Sequence, residues 1–132
     1  MSVDPAAADV EAAHRAFYRA LMMGDAQAMA DLWSRAHPVT CVHPGTPNLV
    51  GYRAVVGSWS QILAHRGLEI SASRLEVRVL GESALTTCIE SLGEVELAVT
   101  NIYVREDGGW KIVHHHASPV SRRIATGPGV VH

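Results

Sequence analysis

The sequence predicts an α+β domain in which a helical layer packs against a curved antiparallel sheet. Apolar residues recur mainly at helical spacing up to Gly67 and at a spacing of two after it. Helices followed by a run of strands are typical of α+β folds and disfavour a doubly wound parallel sheet. A sheet that wraps one helical layer leaves a concave, open-ended pocket, where we expect a ligand to bind.

Length and charge limit the class of protein. The chain has 132 residues, 48% hydrophobic and 18% charged, with a formal net charge of −2. This length fits one domain that buries about two-thirds of its unfolded surface. We expect a single domain over residues 1–120 and a tail over residues 121–132 that is mobile or packed on a partner.

The same composition limits the partners. Lys and Arg total 11 and are scattered, so no basic stripe for nucleic acid is visible. No apolar run approaches the ~18 residues of a membrane span, and the first residues lack the apolar core of a signal peptide. Two cysteines, Cys41 and Cys88, are typical of reduced, buried thiols in a chain that builds its own core. We therefore expect a cytoplasmic protein that binds neither nucleic acid nor membranes.

Helix signals are strongest in the first half of the chain. Asp4, followed by a proline, caps a first helix that ends at Gly24. Asp25 caps a second helix, so the hinge between the two is one glycine long. A third helix begins at Gly51, and we expect it to end at Gly67.

Strand signals are β-branched or alternating segments bounded by turn residues. Between the last two predicted strands, Asp107-Gly108-Gly109 predicts a hairpin turn. The predicted strands are Val39–Val42, Leu75–Val79, Ala84–Ser91, Val95–Arg105 and Trp110–Ser118.

Three consecutive histidines stand in the last predicted strand. There His114 and His116 point to one face and His115 to the other. A metal site would combine His114 and His116 with His43 or Glu90 from elsewhere in the chain. The alternative, which we favour, is that these rings bond locally within the sheet or an interface. We expect no bound metal, and His115 is a candidate acid–base group.

Two more polar residues lie where catalysis is possible. His43 ends the first short strand, and its ordinary pKa of about 6.5 suits a general base; the alternative is that it orients the turn at Pro44. Asn101 stands among β-forming residues, where its amide is satisfied by the sheet or donates to a ligand oxygen. No glycine-rich phosphate loop, Gly-x-Ser-x-Gly elbow or Cys-x-x-Cys pair occurs, and we expect no cofactor.

Four aromatic residues are candidates for the pocket wall. Their rings supply apolar surface, and their polar tips can orient a ligand. The alternative is ordinary core packing, which we favour for the two tryptophans. The four residues are Tyr18, Trp33, Trp59 and Tyr103.

Three segments together resemble a known superfamily. The Gly24-Asp25 hinge, Val42-His43-Pro44 and the helix start at Gly51 look like the nuclear transport factor two-like fold. The run from residue 100 to 118 is similar to its SnoaL-like branch and to the association domain of calcium/calmodulin-dependent kinase two. This resemblance covers about residues 6–119. It implies a cone of three helices on a curved sheet, a pocket at the wide end and homodimers packed through the sheet face.

The resemblance also implies an activity. Enzymes of this superfamily perform cofactor-free acid–base chemistry on small apolar molecules. In the likeness to ketosteroid isomerase, His43 stands at the position of the base and Asn101 at that of the hydrogen-bonding acid. We predict an isomerase, cyclase or dehydratase in which His43 moves the proton while Asn101 and Tyr103 hold an oxygen. The alternative is a non-catalytic module for ligand binding or subunit association.

Overall fold

The helices of the domain lie against one curved, unclosed sheet, as predicted. A computed structural model describes residues 4–65 and 69–121. The strands lie side by side in the order β2-β1-β6-β5-β4-β3. The elements are α1 (Pro5–Met23), α2 (Ala26–Asp31), β1 (Thr40–Val42), β2 (Leu49–Val50), α3 (Tyr52–Leu63), β3 (Ser71–Leu80), β4 (Ser83–Leu92), β5 (Val95–Glu106) and β6 (Gly109–Pro119).

The hinge between α1 and α2 forms where the sequence predicts it. The Asp4 side chain accepts a hydrogen bond from the Ala6 N–H at 3.0 Å and caps α1. Gly24, with φ of 64°, ends α1 in the left-handed conformation that glycine adopts without steric cost. The Asp25 side chain then accepts from the Ala28 N–H at 3.0 Å and caps α2. The resulting bend lets α1 pack on the sheet while α2 packs against α3.

The segment after α2 is bonded directly to the sheet. The Ser34 N–H donates to the Ile112 carbonyl at 3.0 Å, and the Ile112 N–H donates to the Leu32 carbonyl at 2.8 Å. Trp33 lies between these two bonds and is only 1% exposed. This segment therefore inserts a large aromatic side chain into the core between the helices and β6.

Two features of the sheet were not predicted. Strand β2 has only two residues and pairs with β1, with Leu49 opposite Cys41; a segment this short shows no periodicity. Strand β1 lies parallel to β6, with Cys41 opposite His115, and such a long-range pairing leaves no local signal.

Helix α3 is shorter than the sequence predicts. Helix α3 ends at Leu63, with Ala64 as its C-cap, before the predicted end at Gly67. Gly67 lies outside the described residues, as does the predicted tail at 121–132 beyond its first residue. Within residues 4–65 and 69–121, no helix combines the length and hydropathy that crossing a bilayer requires.

A β-bulge decides which way the three histidines point. Ile102 pairs with His114, whereas the next residue, Tyr103, pairs with Ile112. Val113 is therefore an extra residue in β6, and the pairing shifts by one position around it. As a result, His115 is opposite Asn101 and faces the core, where it is 2% exposed. His114 and His116 occupy the outer face.

Candidate functional site

A cavity of about 160 Å³ lies between the helices and the inner face of the sheet. Three titratable side chains line it: His43 just after β1, Glu90 on β4 and His115 on β6. Trp59 of α3 lies beside the two imidazoles. The rest of the lining is apolar and consists of Leu21, Pro44, Ile62, Ile70, Leu92, Leu97 and Ala117.

His115 is held at the wall of this cavity by its neighbour across the sheet. Its Nδ1 lies 2.7 Å from Oδ1 of Asn101. Its ring packs against those of Phe17 and Trp59, with centroids 5.3 and 5.2 Å away. Burial, reinforced by repulsion from His43, lowers the pKa of His115 to about 3. The ring is therefore a neutral imidazole at physiological pH.

Asn101 and Tyr103 stand behind His115 rather than at the cavity. The Asn101 Nδ2 donates to the Tyr103 hydroxyl at 3.5 Å, and the Thr86 hydroxyl donates to the same oxygen at 3.3 Å. Asn101 and Tyr103 are 1% and 0% exposed and are not among the cavity-lining residues. This placement differs from the prediction that they contact a ligand oxygen; their polar atoms contact other protein groups.

His43 has a defined hydrogen-bonding environment of its own. Its Nε2 is 2.9 Å from the Ser58 hydroxyl, which itself donates to the Val55 carbonyl at 2.7 Å. Because that hydrogen is used, Ser58 accepts from Nε2–H, and Nδ1 of His43 is the acceptor nitrogen. Burial lowers the pKa of His43. The His43 and His115 ring centroids are 6.4 Å apart.

Glu90 was considered from the sequence only as a metal ligand, and its place in the cavity wall was not predicted. It is 4% exposed, and its Oε2 accepts a hydrogen bond from the Tyr18 hydroxyl at 2.6 Å. Burial raises the pKa of Glu90, against the opposite effect of the Tyr18 bond. Burial also raises the pKa of Tyr18, so this phenol remains a donor that orients the carboxyl group.

The four predicted aromatic residues occupy different places. Trp59 lines the cavity, whereas Tyr18 acts through Glu90 and Tyr103 through Asn101. Trp33 is buried against β6 and is not among the cavity-lining residues. Of these four residues, Trp59 lines this cavity, and Tyr18 lines a second cleft that shares Ile70 with it.

The histidine triplet does not form the metal site considered from the sequence. His114 and His116 lie on the outer face, with ring centroids 6.2 Å apart. His43 and Glu90 line the cavity on the inner face, so the sheet separates the two pairs. His114 Nδ1 is instead 2.6 Å from the Thr40 hydroxyl. Within the described residues, no three His, Cys, Asp or Glu side chains are grouped as metal ligands.

The fold and its inner cavity define an NTF2-like domain. A candidate dehydratase of the NTF2-like family from Streptomyces avermitilis has a TM-score of 0.80 and 34% identity, covering 87% of this chain and 96% of that one. A candidate calcium/calmodulin-dependent kinase type II association domain from Thiobacillus denitrificans has a TM-score of 0.68 and 29% identity, covering 84% and 94%. The family model of the SnoaL-like domain matches residues 10–122. The chain belongs to this SnoaL-like family.

A plant protein is similar to this chain in sequence. The F-box protein SKIP8 of Arabidopsis thaliana is 30% identical over a 96-residue alignment, which covers 70% of this chain and 41% of that protein. The chain thus spans less than half the length of that relative. The likeness extends the family match without assigning an activity to this chain.

Proposed function

We propose that this domain is a cofactor-free acid–base enzyme of the isomerase, cyclase or dehydratase kind. The observation that carries the proposal is that Glu90, His43 and His115 line one largely apolar cavity. Burial raises the pKa of Glu90 and lowers the pKa of both imidazoles. These shifts favour the protonated form of the carboxyl group and the neutral form of the imidazoles, which is the combination that paired acid and base catalysis uses.

A dehydration illustrates how these groups act together. His115 accepts a proton from the carbon next to a carbonyl group, and Glu90 donates a proton to the hydroxyl that leaves from the adjacent carbon. One C–H and one C–O bond break, a C=C bond forms, and water departs. The proton on His115 then returns to the Glu90 carboxylate through water, which restores the starting state. In an isomerisation, Glu90 protonates a carbon of the substrate instead.

The cavity also limits the substrate. Its volume of about 160 Å³ is close to that of a ~150 Å³ protein cavity that accepts benzene. The residues that line it include no Lys or Arg in the part of the chain that the structure describes. We propose a small neutral carbonyl compound, about the size of one six-membered ring, with few polar atoms.

The proposal is tested with a panel of small neutral β-hydroxy ketones and the enones that they form on dehydration, followed by enone absorbance. Glu90→Gln keeps the side-chain size but removes the transferable proton. We expect turnover to fall by about 10²–10⁴-fold, the usual contribution of one acid or base group. Glu94→Gln, at an exposed turn, is the matched control and keeps wild-type turnover.

Two results would reject the enzyme proposal. One is full activity of the Glu90→Gln variant. The other is tight binding of panel compounds in calorimetry with no turnover by the wild type, which would support the alternative of a ligand-binding module.

We also propose that a second copy of this chain covers the outer face of the sheet. Residues of β4, β5 and β6 that lie opposite one another form three rows across this face. None of their side chains carries a formal charge when the histidines are neutral. Glu76 and Arg78 of β3 lie beside these rows. An uncharged patch with a charged rim is typical of a protein interface. The rows are Leu85–Ile102–His114, Thr87–Thr100–His116 and Ile89–Ala98–Ser118.

Ile102→Glu tests this association. The new carboxylate lies on β5, the middle strand of the three rows. Pairing two copies there would bury two like charges without partners. We expect the wild type to be a dimer and the variant a monomer in light scattering after size-exclusion chromatography. Met23→Glu adds the same charge at a 74% exposed position at the end of α1, away from the outer face of the sheet, and leaves the dimer intact. A monomeric wild type, or a dimeric and folded Ile102→Glu variant, would contradict the proposal.

The state of the cysteines supports a proposed cytoplasmic location. Cys41 and Cys88 are both free and buried. Free thiols are typical of reducing compartments, where disulfides do not persist. Burial raises the pKa of Cys41 to about 12, so this side chain remains an unreactive thiol at neutral pH.

A further inference from the structure

We infer that Asn101 is a positioning residue, which fixes the tautomer of His115 so that Nε2 of the ring is the proton acceptor of the cavity. This inference rests on the proposed acid–base function and adds to it the atom that acts as base. Asn101 itself does not line the cavity, so its effect passes through His115.

The hydrogen bond between the two side chains determines the tautomer. Asn101 and His115 are directly opposite on β5 and β6, with Oδ1 and Nδ1 2.7 Å apart. A carbonyl oxygen only accepts hydrogen bonds, so Nδ1 carries the hydrogen. A neutral imidazole has a single N–H, which leaves the lone pair on Nε2. Nε2 has no hydrogen-bond partner among the described residues, and it belongs to a ring that lines the cavity.

The Asn101 amide makes a second contact in this orientation. Its Nδ2 donates to the Tyr103 hydroxyl at 3.5 Å, and Thr86 donates to the same oxygen at 3.3 Å. All three side chains are at most 2% exposed, so water does not compete with these bonds. The opposite amide orientation would present an N–H to His115 and place the ring hydrogen on Nε2. In one orientation Nε2 of His115 has a lone pair and accepts a proton, whereas in the other Nε2 carries a hydrogen and donates it.

The bulge at Val113 makes this pairing possible. Tyr103 pairs with Ile112, so an unbroken register would place Asn101 opposite His114. The extra residue moves His115 into that position instead. The bulge thus places Asn101 and His115 directly opposite each other.

An amide also differs from a carboxylate in what it does to the ring. An Asp at this position would stabilise the imidazolium and make His115 titrate nearer neutral pH. A neutral Asn orients the ring without favouring its protonation. The other titratable groups around the ring are Cys41 opposite it on β1, His43 and Glu90 at the cavity, and His114 and His116 on its own strand.

The tautomer is measured by long-range ¹H–¹⁵N correlation NMR of the wild type, with His115→Gln to assign the signals. We expect Nδ1 to be protonated and Nε2 to be bare. Asn101→Leu removes the acceptor and is expected to give a mixture of both tautomers. Wild-type His115 with its hydrogen on Nε2, or an unchanged tautomer in Asn101→Leu, would overturn the inference.

A second variant distinguishes a positioning role from a merely structural one, because only a positioning role predicts a change in the pH profile of activity. Asn101→Asp is close in shape, and we expect it to keep the Nδ1–H tautomer while adding a loss of activity as the pH falls below about 6.5, the ordinary pKa of histidine. A pH profile identical to that of the wild type would count against a positioning role. The tautomer needs no substrate, so failure of the proposed enzyme activity and failure of this inference are separate outcomes.

Discussion

His115→Gln is expected to lower kcat/KM by about 10²–10⁴-fold, the range usual for loss of a general base. His115 lines the cavity and is the base in the proposed reaction, and Gln has no basic lone pair to replace it. Enone formation from the substrate found in the panel measures the effect. His65→Gln is the matched control, because His65 is exposed just after α3 and its loss leaves catalysis unchanged.

The pH dependence of the wild type follows from the same assignments. His115 acts when neutral and has a pKa of about 3, so it causes no loss of activity until the solution is strongly acidic. Glu90 acts when protonated, and its pKa is raised by burial. Activity is therefore expected to decrease as the pH rises through the pKa of Glu90. Full activity of His115→Gln, or activity that increases with pH over that range, would contradict the assigned roles.

Much of the fold could be predicted because its signals are local. Asp4, Gly24 and Asp25 mark helix ends by chemistry that acts within a few residues. The hairpin between β5 and β6 likewise follows from Asp107 and Gly108, which adopt φ of 54° and 78°. Strand β2 could not be predicted because two residues show no periodicity. The parallel β1–β6 pair could not be predicted because it joins residues far apart in the chain.

The candidate site was predictable in part, for the same reason. His43 stands at a strand end beside a proline, which is a local signal. The side chain of His115 faces the core because of a β-bulge at Val113, and no residue type in the sequence predicts that bulge. Glu90 shares the inner face of β4 with Ala84, Thr86 and Cys88, but the outer positions of that strand include Leu85 and Ile89. Because both faces carry apolar residues, the alternation that would have singled out an inward carboxylate is absent.

Trp33→Ala is expected to reduce the free energy of unfolding by about 3–5 kcal/mol, the usual cost of removing a large buried aromatic side chain. Trp33 is 1% exposed and lies where the chain after α2 is bonded to Ile112 of β6. The substitution leaves a void between the helices and the sheet, which the bonds of Ser34 and Leu32 to Ile112 prevent from closing. Urea unfolding followed by circular dichroism measures the loss as a lower midpoint with an unchanged slope.

Trp33→Phe separates packing from other roles of the same residue. The indole N–H of Trp33 is buried and has no hydrogen-bond partner among residues 4–65 and 69–121, so phenylalanine removes an unsatisfied donor and leaves a smaller void. We expect a smaller loss of stability than with alanine, and wild-type kcat/KM, because Trp33 is not among the cavity-lining residues. Trp59→Phe, which alters the cavity wall beside His43 and His115, is expected to change KM instead. A change in substrate affinity with Trp33→Phe, at unchanged stability, would place Trp33 in the site rather than in the core.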